Sequence, residues 1–184
     1  GDRSDRRLAI YPDPPFLLSS INPKSIPSGR IGMGAISNRI SEIASYLDAV
    51  DRGKELQVAG NAWTRTNQLL VQFVSKLQGR LDLTRMAILG LAGKTANIKE
   101  FPVVLTFAIG EWGLYVGADE HYRVQLIGKT DLIEDGQIRW SAICAQESDS
   151  VYLPEWTDSA ATRLRVTVDQ LVELCAEDLI QQFP

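Results

Sequence analysis

Two cysteines, one histidine and a Gly-Lys-Thr cluster are the residues of this 184-residue chain with the most reactive chemistry. Gly90-Leu91-Ala92-Gly93-Lys94-Thr95 has the ending of a phosphate-binding loop, in which backbone amides approach phosphate while Lys and Thr reach phosphate and magnesium. The leading glycine of such a loop would fall where bulky Ile88 and Leu89 stand, so the cluster reads as a glycine-rich element end. Gly29, Gly32 and Gly34 follow a proline-rich stretch rather than a strand and make no dinucleotide fingerprint. No cofactor is expected. The single histidine, His121, excludes multi-histidine metal sites and leaves one conventional base for a nucleophile. Beside Asp119 and Glu120 it reads as a loop residue without a role. Glu147, Asp149, Glu155 and Asp158, interleaved with Tyr152 and Trp156, match no ion-binding loop and read as a solvated rim. No catalytic or metal-ligating residue is therefore assigned.

Composition narrows the class. A net charge of -4 excludes a duplex nucleic-acid partner, whose phosphates need clustered Lys and Arg; Arg3, Arg6 and Arg7 are the only basic cluster and sit at an end. No apolar run reaches the roughly 18 residues of a membrane-spanning helix. At 45% apolar and 23% charged residues the chain is globular, and its length suits one core, hence a single domain over 1–184. Residues 1–6, headed by Gly1 instead of Met and otherwise polar or charged, are expected to be a disordered or artificial end of a longer chain. Residues 12–30, with five of the eight prolines, are expected to be an extended surface connection.

The elements that must position these residues follow from periodicity. Arg7 to Tyr11 alternates as a short strand that stops at Pro12. Ile36, Ile40, Ile43, Leu47 and Val50 recur every three or four residues, predicting a helix that ends near Gly53. That stripe should pack on the core; a partner helix is the alternative. Leu56 and Val58 suggest a short strand, and a second helix over 62–77 presents Trp63, Leu70, Phe73, Val74 and Leu77 on one face, with Gly79 beyond its end. Residues 81–94 admit either a short helix or a strand. From Phe101 to Trp112 the odd positions through Ile109 are all large and apolar, predicting a strand with one core face. Trp112 and Tyr115 then lie at its end, away from the core stripe, and are the candidates for a partner or ligand surface.

Tyr122 to Ile133 and Gln137 to Ala145 alternate as a hairpin, with Ile138, Trp140, Ala142 and Cys144 inward. A two-residue Asp135-Gly136 loop would set Leu132 opposite Arg139. A three-residue loop, Glu134-Asp135-Gly136, instead pairs Leu132 with Ile138, Thr130 with Trp140 and Leu126 with Cys144, and is preferred. In that register His121 lies roughly 17 Å along the strand from the partner of Cys144, too far for a Cys-His dyad. A closing helix from Ala160 to Gln182, capped by Asp158 or Ser159, buries Leu164, Val168, Leu171, Val172, Cys175 and Leu179 on the hairpin. Cys144 and Cys175 thus become neighbours, either as buried free thiols or as a disulfide in an oxidising compartment; the disulfide is preferred.

The expected fold is α/β in the α+β sense: a single mixed sheet with an antiparallel C-terminal hairpin, helices packed on it, and the last helix covering the hairpin. Val103-Val104-Leu105-Thr106 followed by Trp112-Gly113, the hairpin through Asp135-Gly136-Gln137-Ile138-Arg139-Trp140, and the closing helix resemble small Gram-negative outer-membrane lipoproteins. Those share an α/β fold like that of the TolB N-terminal domain or the curli secretion lipoprotein. The resemblance implies a periplasmic or outer-membrane-anchored bacterial protein with a binding or assembly role, its lipid-bearing Cys upstream of Gly1, and no catalytic residues. The partner would be another cell-envelope protein or a second copy. The alternative is a cytoplasmic small-molecule-binding protein or enzyme whose site the sequence does not reveal.

Overall fold

A computed structural model of the chain describes residues 6–19, 33–56, 64–77, 87–90 and 100–184. Six strands form one mixed sheet: β1 (Arg6–Ile10), β2 (Leu17–Ser19), β3 (Ala87–Gly90), β4 (Val103–Val116), β5 (Tyr122–Glu134) and β6 (Gln137–Glu147). Their order is β3-β1-β4-β5-β6. β1 and β2 both run parallel to β4, β1 alongside Val103 to Phe107 and β2 alongside Gly113 to Tyr115. Among the described residues three helices join the sheet: α1 (Met33–Lys54), α2 (Thr64–Lys76) and α3 (Leu153–Gln182). α3 lies over β5 and β6 and beside α2, giving the α+β arrangement expected from the sequence.

β4 carries the main surprise. Leu105, Phe107 and Ile109 enter the core as expected, but Gly110 is an extra residue: Ile109 pairs with Gly128 and Glu111 with Ile127. A bulge of this kind moves the strand out of phase by one. Beyond it the even positions face inward, so Trp112 is 0% exposed and Tyr115, on the opposite face, only 3%. The candidate surface pair is therefore buried, because single-period alternation does not survive the bulge. Trp112 donates its indole N–H to the Pro14 carbonyl at 2.7 Å and meets Phe16 edge-on at 5.1 Å. Where it is described, the proline-rich stretch is irregular and at or near the surface through Pro15, and the chain then enters the core: Phe16, Leu17 and Leu18 are buried, and Leu17 opens β2. Asp13 caps α2 from the same stretch, accepting from the Arg65 and Thr66 backbone amides at 2.9 and 2.8 Å. That satisfies first-turn donors which a helix cannot satisfy itself.

α2 buries Leu69, Leu70 and Phe73, close to the predicted face, and Leu77 follows them into the core. Of residues 81–94, 87–90 are strand. Val58, Trp63, Gly79 and the Gly93-Lys94-Thr95 cluster fall outside the described residues. α1 corrects the sequence reading: Ile43 is 60% and Leu47 57% exposed, while the small residues Ala49 and Gly53 are buried. The helix approaches β2 through this small-residue row, an i, i+4 pair that admits close backbone contact, while Ile43 and Leu47 are exposed. Leu17, Ala49 and Tyr115, with Val50 beside them, form that contact.

The hairpin turns over two residues, not three. Glu134 pairs with Gln137, and Asp135 and Gly136 both have positive φ, at 50° and 78°. Arg139 is then bulged, so that Ile133 pairs with Ile138 and Leu132 with Trp140. The bulge avoids setting Leu132 opposite the charged residue, which was the argument against the shorter turn. Cys144 consequently faces Gly128 rather than Leu126, and Ile138 is exposed. α3 also begins earlier than expected. Its first turn starts at Leu153, with the Glu155 carboxylate accepting from the Tyr152 amide at 3.3 Å. The backbone breaks across Asp158 to Ala161, and Ser159 offers its carbonyl, not its hydroxyl, to Thr162.

A Cβ added at Gly53 would overlap the Phe16 carbonyl. Gly53→Ala is expected to lower stability by about 1–3 kcal/mol in urea unfolding. An ordinary Gly-to-Ala change inside a helix would raise it by up to about 1 kcal/mol.

Candidate functional site

Cys144 on β6 and Cys175 on α3 meet in the core, both 0% exposed, with their Cα atoms 5.4 Å apart and their sulfurs at disulfide distance. Gly128 makes the room: a Cβ there would lie 2.5 Å from one sulfur and 2.9 Å from the other. A glycine inside an alternating strand was the available sequence signal for this notch, and sequence reasoning missed it.

His121 is seven residues along β5 from Gly128, roughly 23 Å at strand rise, so it cannot serve Cys144. Its Nδ1 lies 2.7 Å from Asp119 Oδ2, and its ring meets Tyr152 edge-on at 4.1 Å. The His121 backbone amide donates to Asp119, which together with the ring contact holds that carboxyl below the usual range. Two of the four rim carboxylates are engaged: Glu147 pairs with Arg123 at 3.7 Å and Glu155 with Arg163 at 3.3 Å. Among the described residues no three His, Cys, Asp or Glu side chains converge as metal ligands, and no helix is long and apolar enough to cross a membrane.

Two other features of the surface emerge. Ile43, Tyr46 and Leu47, spaced to share one face of α1, are all about half exposed or more. A cleft of about 660 Å³ opens between the C-terminal end of α1, β2 and the break in α3, with Arg52, Glu55, Thr157 and Arg165 among its lining residues. The sequence gives no signal for the cleft, because its charged residues lie on segments more than a hundred positions apart.

No family model matches this chain, and no curated protein does. Solved structures match it only loosely and at low identity. A Xanthomonas campestris protein described as DUF330 is 12% identical, with 97% of this chain and 83% of that one covered and a TM-score of 0.42. A Helicobacter pylori homolog of the neuraminyllactose-binding hemagglutinin is 9% identical over 100% and 86%, with a TM-score of 0.40. The PelC dodecamer of Paraburkholderia phytofirmans is 14% identical over 95% and 88%, with a TM-score of 0.34. At such values the likeness is loose and says nothing of chemistry.

Tyr115 supplies a pH-dependent signature of the buried strand end. Burial, reinforced by the 2.6 Å hydrogen bond from its hydroxyl to Glu111 Oε1, pushes the phenol well above its ordinary value of 10.0. A raised folded-state value means the stabilisation is complete below the unfolded value and is lost as pH rises past it. Urea unfolding of the wild type should therefore show stability falling above about pH 10, with a shallower fall in Tyr115→Phe.

Proposed function

We propose that this protein is a non-enzymatic binding module of the bacterial cell envelope, periplasmic or held at the outer membrane by a lipid anchor, that works by engaging another envelope protein. The Cys144 and Cys175 pair carries this reading. Two thiols placed at disulfide distance in a dry core, with a glycine opposite to admit them, suit a compartment where disulfides form and persist. Closing a loop with a sequence separation of 31 would stabilise the fold by about 3–4 kcal/mol through the entropy it removes from the unfolded chain. The outward face of α1 is the contact surface: Ile43, Tyr46 and Leu47 form an apolar cluster that the chain's own core does not cover.

Protein taken from its native cells and alkylated without reductant should carry no label on either cysteine. Labelling of both places the protein in a reducing compartment and ends the envelope assignment. Cys144→Ala/Cys175→Ala should lose about 3–4 kcal/mol in urea unfolding, and reductant should then have no further effect on it.

A photo-crosslinking residue at Leu47 should yield a discrete adduct with another polypeptide in the envelope, whereas the same residue at exposed Glu173 on α3 should not. Ile43→Asp should remove the adduct while changing stability by no more than about 0.5 kcal/mol. A protein that gives no adduct from Leu47 does not use this face.

A further inference from the structure

We propose that the cleft between α1, β2 and the break in α3 binds an anionic amphiphile, a molecule with a phosphate or carboxylate head and a single apolar chain. Its volume of about 660 Å³ lies inside the range of roughly 300–1,000 Å³ typical of small-ligand sites. One part of the lining is apolar, formed by Leu18, Leu56, Leu153, Ala160 and Ala161. The rest is charged or polar, and two guanidinium groups, Arg52 and Arg165, outnumber the single carboxylate of Glu55.

Both arginines are available to a ligand, Arg165 more so than Arg52. Arg52 has only Asp48, one turn back on its own helix at 4.0 Å, an exposed contact of little strength. Arg165 has no hydrogen bond or ion pair among the described residues. Guanidinium groups present planar forks of N–H donors that match phosphate and carboxylate oxygens, which sets the chemistry of the head.

The wall opposite α1 is shaped by an unusual backbone. Ser159, Ala160 and Ala161 have φ of 55°, 56° and 59°, a left-handed run that L-residues adopt at a cost of roughly 1–2 kcal/mol each. Strain of this kind is retained where the surrounding structure over-determines it, often at ligand-binding walls. Here it interrupts α3 and presents two methyl groups to the cleft in place of longer side chains.

Calorimetric titration of the purified protein tests the proposal and is independent of its compartment or protein partner. Dodecyl phosphate and dodecanoate, kept below their micelle concentrations, should each saturate one site, at least about tenfold tighter than inorganic phosphate or the neutral detergent dodecyl maltoside. The tighter of the two identifies the head group. Arg165→Gln and Arg52→Gln should each weaken binding by about five- to tenfold. Glu55→Gln should tighten it by about two- to fivefold, a gain that a damaged fold does not mimic. Absence of saturable binding, equal affinity for the neutral detergent or inorganic phosphate, or an affinity unmoved by Arg165→Gln overturns the proposal.

Discussion

One extra residue in β4, Gly110, rolls the second half of the strand over, and much of the molecule is arranged around that roll. It brings Trp112 and Leu114 onto the face already occupied by Leu105, Phe107 and Ile109, and turns Tyr115 toward α1. A buried indole needs an acceptor for its N–H, and Trp112 finds one in the Pro14 carbonyl. The proline-rich stretch is thereby held against the sheet, which sets Asp13 at the start of α2 and Leu17 to Ser19 on the edge of β4. That short strand is in turn the seat of α1. A single backbone irregularity thus fixes the positions of two helices that share no contact with it in sequence.

The C-terminal half obeys the same economy of buried polar groups. Trp156 is 1% exposed and donates to the Tyr122 carbonyl at 2.7 Å, docking the first turn of α3 on the start of β5. At the other end, Trp140 donates to the Gln182 carbonyl while Gln182 donates to Ile143, so the end of α3 covers part of the free edge of β6. An unpaired strand edge invites association with other strands, and this contact blunts it. Between these two anchors lies the cysteine pair. The helix is fixed to the hairpin by hydrogen bonds at its start and its end, with the two cysteines in contact between them.

The fold class was legible because it depends on periodicity summed over long segments. The face of α2, the three C-terminal strands and the stripe of α3 all follow from where Leu, Val, Phe and Cys recur. What failed depended on single residues that change phase. Gly110 and Arg139 each add one position to a strand, and no local pattern distinguishes such a residue from its neighbours. The same limit hid the packing face of α1, where Ala49 and Gly53 make the contact while Ile43 and Leu47 are exposed. Periodicity marks a stripe by size, whereas close helix-sheet approach rewards small residues. The separation of His121 from the cysteines was recovered despite the wrong register, since a shift of two residues along a strand is small beside the distance. The cleft was not recoverable, because only the tertiary fold brings Arg52 and Arg165 to one cleft.

A bond between Cys144 and Cys175 would also change how the molecule bears load. A chain pulled by its two ends carries force along the covalent path between them. With the bond closed, that path leaves β6 at Cys144 and enters α3 at Cys175, bypassing the sequence separation of 31 between them. About 100 Å of contour length is then hidden from extension. The β6 end, the α3 break and the cleft wall it shapes all lie on the bypassed segment. They would remain slack while the rest of the chain is under tension.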